Sequence, residues 1–327
     1  MSGNGFMFLL LSMCVKMDRE KNFTSTANKL LKYPERLKAI SEDGLWHPIN
    51  LQISPTEICN LNCSFCSVKN RGSLSLEIDE MKNAIIDFNN LGLQSIEITG
   101  GGEPTLHPKI NELIRFAYSL GLKIGLITNG IALDNVSQKN LDKLSWLRIS
   151  LNGIDEDKTP DIPEIKGTLG FSYVWNEKSN ILKLKYIYGL AMRHNVEYVR
   201  VVPNCLNIEE QKRLRTEVGF LVKELGFEDK IFIQTKSYEI YPKCWIGGLK
   251  PFLYSDGFIY QCSAVALYNR KFSPEWRICY YNDINKIWPN NYKPLNNKMC
   301  RKGKCFYSDQ NKLLDELQME VKHDGFI

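Results

Sequence analysis

Apolar and polar positions repeat with two different periods through the middle of this chain. Residues 49–57, 95–99, 123–128, 146–151, 168–175 and 196–202 are short runs rich in β-branched and aliphatic side chains, and they predict strands. Between them the period changes. Met81, Ala84, Ile85, Phe88 and Leu91 recur at helical spacing within 75–91, and Ile110, Leu113, Ile114 and Ala117 share one face of 108–120. Helices are also expected over 134–144, with Asp134 as N-cap, over 178–194 and over 208–225. Regular strand–helix alternation predicts an α/β fold with a parallel sheet and helical crossovers. Periodicity alone leaves a doubly wound sheet and an open barrel as alternatives. Gly101 and Gly102 do not make a dinucleotide fingerprint, because no third glycine opens a helix behind them.

The pattern divides the chain into three parts. Residues 1–48 form an N-terminal extension, 49–229 the strand–helix repeat, and 230–327 a last part that opens on one more strand, 230–235. From 238 to 307 the composition turns to Pro, Gly, Trp and Tyr with few helix signals, and 309–321 closes as an amphipathic helix. A chain of 327 residues, 43% hydrophobic, has ample material for one large core and a smaller one. Its net charge of +5 bears on solubility and steering rather than on fold. The apolar run 6–15 has about ten residues where a membrane span needs about twenty. No Lys or Arg precedes it, so neither a span nor an export signal is expected.

Cysteine changes the picture most. Ten cysteines in a chain of this length do not make a small disulfide scaffold; they read as metal-binding or catalytic in a reducing compartment, the cytoplasm. Three stand at C-x3-C-x2-C in Cys59-Asn60-Leu61-Asn62-Cys63-Ser64-Phe65-Cys66. A structural zinc prefers paired cysteines with a second pair downstream, whereas three thiolates on one loop can hold a cluster and leave one iron open. A second group of five follows in order, Cys244, Cys262, Cys279, Cys300 and Cys305. Gly101 and Gly102 permit close backbone approach, and Arg200, alternating along its strand, is placed to pair with a carboxylate.

The ordered set CNLNCSFC, Gly100-Gly101-Gly102-Glu103-Pro104, Thr128-Asn129-Gly130 and Ile149-Ser150-Leu151-Asn152-Gly153 resembles the radical S-adenosylmethionine (radical SAM) superfamily. The resemblance implies a partial (β/α)6 TIM-type barrel, with chemistry at the C-terminal ends of the strands. It implies that Cys59, Cys63 and Cys66 hold a 4Fe–4S cluster whose open iron takes S-adenosylmethionine. It also implies that Phe65 lies beside the adenine, that Glu103 accepts from the methionine ammonium, and that Ser150 and Asn152 reach ribose or carboxylate. Thr128 and Asn129 belong to a neighbouring rim. Reductive cleavage of the sulfonium would yield a 5′-deoxyadenosyl radical that abstracts a substrate hydrogen atom.

The C-terminal cysteines, the Gly257-x4-Cys262 hairpin and the segment 282–288 resemble the SPASM/twitch subgroup. That resemblance implies a small, irregular, twitch-like domain with one auxiliary 4Fe–4S cluster on Cys244, Cys262, Cys300 and Cys305, with Cys279 excluded; a zinc ribbon-like site is the alternative. Cys205, just past the sixth strand, matches a hydrogen-atom donor of relatives that epimerise. Expected partners are a flavodoxin- or ferredoxin-like electron donor and a small-molecule, nucleotide or peptide substrate, a peptide needing a separate recognition protein. The reaction would be an oxidation, coupling or epimerisation at carbon, by an oxidoreductase or isomerase-like enzyme. The molybdopterin-precursor enzyme is set apart by its Gly-Gly tail, which this sequence lacks. The competing reading is a non-catalytic Fe–S electron carrier, or a zinc-stabilised binding module on a similar barrel.

Overall fold

The computed structural model describes residues 19–69, 71–204, 213–234, 241–264, 276–296 and 305–319. Seven strands run parallel and in sequence order: β1 (Asn50–Ile53), β2 (Ser95–Ile98), β3 (Lys123–Thr128), β4 (Trp146–Ser150), β5 (Thr168–Trp175), β6 (Tyr198–Pro203) and β7 (Ile231–Ile233). This is the parallel α/β sheet that the alternation predicts, in the partial-barrel form that the resemblance implies, with the extra strand at 230–235 joining it as β7 beside β6. The period of two has a physical origin here. Leu51, Ile53, Ile96, Ile98, Ile124, Leu126, Leu147 and Ile149 are fully buried, whereas Gln52, Glu97, Gly125 and Arg148, one residue out of phase, border a cavity. One face of the sheet packs against helices and the other lines a polar interior.

Helices α1 (Pro34–Asp43), α2 (Ile78–Asn90), α3 (Ile110–Ser119) and α4 (Ile181–Arg193) lie in the first two parts of the chain. The apolar face of α2 buries Met81, Ala84, Ile85 and Phe88, and that of α3 buries Ile110, Leu113, Ile114 and Ala117. Each of the larger side chains contributes about 1.5–3 kcal/mol. A reciprocal capping box between Glu77 and Glu80 starts α2. It begins three residues later than the period suggests because Ser75 bridges Thr56 across the root of the preceding loop.

The helix expected over 134–144 is mostly absent. Asp134 sits in a 3-10 turn, and the helix that follows, Gln138–Leu141, has Ser137 at its N-cap position. Asn111 of α3 explains the loss. Its amide nitrogen donates to the Asn135 carbonyl and its amide oxygen accepts from the Ser137 N–H, so those backbone groups need no helical partners.

The C-terminal part is joined to the sheet by its strands. β8 (Lys243–Cys244) pairs with β12 (Leu295–Asn296), while β9 (Phe252–Leu253), β10 (Phe258–Tyr260) and β11 (Arg277–Tyr280) extend the large sheet from the free edge of β1. β9 runs parallel to β1, and β10 folds back on it through Gly257, whose φ of 81° suits the tight turn. Trp46 stacks on Trp245 at 5.1 Å, tying the lead-in to this region. Helix α5 (Ser308–Glu316) closes the described structure. No helix among the described residues is long and apolar enough to cross a membrane.

Candidate functional site

The first cysteine group lies beyond the C-terminal end of β1. The loop is closed at its root: the Glu57 N–H donates to Leu74 O at 2.8 Å, and the Thr56 and Ser75 hydroxyls meet at 2.7 Å. Leu61 and Val68 bury themselves as anchors, while Cys59, Cys63 and Cys66 remain half-buried and unbridged. Burial pushes the Cys63 thiol up to about 12, with help from the Glu156 carboxylate and the other two cysteines. Burial raises the Cys59 thiol as well, and thiols held neutral in this way suit a site that takes positive charge, because a bound metal deprotonates its thiols outright. Asn129 Nδ2 approaches Cys59 Sγ at 3.9 Å, and Arg71 Nη1 approaches Cys66 Sγ at 3.7 Å. Among the described residues no three His, Cys, Asp or Glu side chains converge on a point that would hold a single metal ion. A cluster takes each thiolate on a different iron, so sulfurs spread along one loop suit it better than a mononuclear ion.

The glycine-rich turn after β2 is laced to this loop. Thr99, Gly102 and Glu103 N–H groups donate to Ile53, Thr56 and Ile58 carbonyls at 2.8, 3.0 and 2.8 Å, and the Gly101 N–H donates to Ser54 Oγ at 2.8 Å. The approach is so close that a Cβ on Gly102 would stand 2.2 Å from Ile58 O. Glu103 has a structural task within the protein. It is buried, and four protein donors take its carboxylate. Oε1 accepts from the Thr105 N–H at 3.0 Å, Thr105 Oγ1 at 2.8 Å and Thr128 Oγ1 at 2.6 Å, and Oε2 accepts from the Asn129 N–H at 2.7 Å. Three of these bonds fall on Oε1 and one on Oε2, so Oε2 keeps an acceptor position. Burial raises its pKa against those hydrogen bonds. Glu103 thus pins the turn after β3 to the turn after β2.

Asn129 carries the chain of contacts back to the cysteines, since its Nδ2 donates to Asn60 Oδ1 at 2.7 Å and its Oδ1 accepts from the Ile131 N–H. Asn152 is likewise committed internally. It accepts from the Val174 N–H, donates to the Val174 carbonyl, and donates to Asp155. Asp155 also accepts from Tyr173, Asn176 and Lys183. Burial alone would raise its carboxyl, but these donors hold it below its ordinary range. Ser150 stays partly exposed at the end of β4. Phe65 is partly buried in the cysteine loop. Arg200 is level with Ser172 and Ser150 across the sheet, and donates to the Gln234 amide oxygen at 3.1 Å rather than to a carboxylate.

The second cysteine group is gathered from separate elements. Cys244 of β8 and Cys262, just past β10, are buried in one apolar cluster with Phe252, Tyr254 and Tyr260. The Tyr292 phenol is raised by burial first and then by Cys244 and Cys262, which places it beside both. Tyr307 is raised by burial, by Glu97, and by Cys262 and Cys305. Cys279, on β11, packs against the main core instead. Cys300 and Cys205 lie outside the described residues. Sequence reasoning missed Asn60, Arg71 and Asp155, which have no motif of their own; only their position beside motif residues signals them.

Residues 53–173 match the model of the Radical SAM superfamily. A probable GTP 3′,8-cyclase of Metallosphaera sedula is 28% identical over 47% of this chain and 50% of its own length. Molybdenum cofactor biosynthesis protein 1 of Dictyostelium discoideum is 35% identical over 43% of this chain and 23% of its own length. The chain spans half or less of the length of these curated relatives. The structure of Streptococcus suis SuiB bound to S-adenosylmethionine superposes with a TM-score of 0.62 at 15% identity, covering 91% of this chain and 77% of that one.

Proposed function

Residues 53–173 form a radical SAM domain, and from that premise we propose that the chain is an enzyme that cleaves S-adenosylmethionine reductively and abstracts a hydrogen atom from its substrate. The observation that carries this reading is the hydrogen-bonded rim. Cys59–Cys66, Gly100–Glu103 and Thr128–Gly130 leave three neighbouring strand ends and are fixed to one another through Glu103 and Asn129. Bound at Cys59, Cys63 and Cys66 and reduced, a 4Fe–4S cluster supplies the electron that converts S-adenosylmethionine to methionine and a 5′-deoxyadenosyl radical.

The chain's own residues hold the reactants in register. Asn129 and Arg71 point N–H groups at the sulfurs of Cys59 and Cys66, and hydrogen bonds to cluster sulfurs tune its potential. The peptide planes of Gly101 and Gly102 give the methionine end a surface free of side chains. Phe65 packs on the adenine, and the exposed hydroxyl of Ser150 meets the ribose. Glu103 and Asn152 act behind this surface, keeping the strand ends rigid so that the reacting atoms stay aligned. Cys244, Cys262, Cys300 and Cys305 hold an auxiliary cluster, and Cys205 returns a hydrogen atom where the outcome is epimerisation. A flavodoxin- or ferredoxin-like protein delivers the electron.

Anaerobic reconstitution followed by reduction tests the proposal. 5′-Deoxyadenosine is expected even without substrate, by slow uncoupled turnover. Absence of any cleavage in fully loaded protein, with every candidate substrate class, would instead support an electron carrier or binding module. Iron analysis separates one cluster from two: about eight irons per chain are expected, and about four would remove the auxiliary cluster.

A further inference from the structure

A cavity of about 650 Å³ occupies the interior of the sheet, in the size range of small-molecule sites. Its wall is charged in one direction. Among the described residues, Lys29, Lys123, Arg148, Arg200 and Lys250 border it against a single carboxylate, Glu97. That carboxylate is already engaged: Lys250 Nζ lies 3.0 Å from Glu97 Oε2, and Gln52 Nε2 donates to Oε1 at 2.8 Å. Arg148 donates through Nε to the Tyr198 hydroxyl and through Nη2 to the Phe23 carbonyl, with its plane 5.1 Å from the Trp146 ring. Arg200 is different. Its guanidinium meets an amide, and its Nε is buried with no hydrogen-bond partner. Burial and the neighbouring Arg148 pull it down to about 9, still cationic at neutral pH. A buried guanidinium nitrogen without an acceptor, as Nε is here, is costly unless a ligand supplies one.

Two glycines shape the space. A Cβ on Gly125 would strike the Trp146 ring at 2.1 Å, and one on Gly170 would strike Tyr198 at 2.3 Å, so both aromatic rings lie flat across the lumen. The cationic wall also stands at a defined depth. Arg200 is level with Ser150 at the rim, and Arg148 is two residues lower on β4, about 7 Å along the strand. Glu97 and Lys250 lie about 10 Å below Gly100, counting three residues along β2. A ligand fixed here by one end needs a span of only about 7–10 Å to reach the rim with its other end, which a small molecule has.

We propose that this cavity is the substrate chamber, and that it takes a small, multiply anionic metabolite whose phosphate or carboxylate groups pair with Arg200 and face Arg148. The word substrate rests on the radical SAM reading; the anion site does not. Arg200 would supply N–H donors, its unpartnered Nε among them, to carboxylate or phosphate oxygens.

Calorimetric titration of the reconstituted protein, saturated with S-adenosylmethionine, tests the site without any turnover. Inorganic triphosphate and citrate are the probes, and whichever binds more tightly identifies phosphate or carboxylate as the preferred group. Binding at one site per chain is expected. Arg200→Gln should weaken it about tenfold or more, and Arg200→Lys should restore part of the loss. Gln234→Glu places a carboxylate of the same shape against Arg200; it should abolish binding while raising the melting temperature. Equal affinity in Gln234→Glu, or no binding of either probe to wild-type protein that still binds S-adenosylmethionine, would overturn the proposal. Anion binding by a protein that never yields 5′-deoxyadenosine would leave this site standing and remove the radical reaction instead.

Discussion

Cys59, Cys63 and Cys66 sit half-exposed on one loop, whereas Cys244 and Cys262 are buried between strands that come from different parts of the C-terminal region. The first group needs only eight consecutive residues and a closed loop root, so its spacing is meaningful before any fold exists. The second is created by packing: β8 and β10 must form, and Tyr292 and Tyr307 must fill the space beside the sulfurs. One group is local chemistry mounted on a strand end. The other doubles as core, so its loss should be felt as stability as well as function.

Substitutions can break that comparison. Cys63→Ala should show the largest functional effect, with 5′-deoxyadenosine formation falling to background and iron dropping by about four per chain. Its stability should shift by no more than about 0.5–1 kcal/mol, because the side chain is half-exposed on a loop. Urea denaturation of the metal-free protein supplies the second number. Gly102→Ala drives a methyl into the backbone of Ile58, at a cost of about 1–3 kcal/mol, and should weaken S-adenosylmethionine binding measured by titration. Cys262→Ala inverts the balance of Cys63→Ala. It should cost about 1–2 kcal/mol in the metal-free protein by opening a small buried cavity, while loaded protein keeps slow uncoupled cleavage. If Cys262→Ala abolished cleavage with no loss of stability, the two groups would not be the separate devices described.

The smallest effect concerns the ion pair that joins the two regions, Glu97 of β2 with Lys250 of the C-terminal part. Burial alone would raise Glu97, but Lys250 holds it below the ordinary carboxylate value of about 4.3. Its contribution is therefore complete above that value and is lost as pH falls through the depressed one. Burial alone would lower Lys250, and Glu97 with Tyr307 holds it above its ordinary value, so its contribution fades only in strong alkali. Acid titration of stability should show an extra loss below about pH 4 that Glu97→Gln removes, with a difference of about 1 kcal/mol.

Much of the fold was legible because the strands carry a strict alternation, set by helices on one face and a polar lumen on the other. Thr168–Trp175 and Lys123–Thr128 appear at the expected bounds. The helix at 134–144 was misread because its backbone groups are satisfied by Asn111, a side chain from another element. Residue identity was likewise silent on the internal bonds of Glu103 and Asn152. Both stand where the motifs put them, and only the neighbours Thr105, Thr128 and Val174 reveal the hydrogen bonds they make within the protein. The pairing of Arg200 with an amide in place of a carboxylate was invisible for the same reason.

By itself the sequence determined what is local: the strand and helix periods, the C-x3-C-x2-C loop with its open coordination, and the order of turns that places them at successive strand ends. Tertiary structure alone decided what depends on partners distant in the chain. It joined β9 to the free edge of β1, brought Cys244 and Cys262 together and, among the described residues, collected five cations around a cavity with one acid. The reason is range. A hydrophobic period or a ligand spacing is set by residues a few positions apart, whereas the state of a buried charge is set by whatever the fold brings within a few ångströms of it.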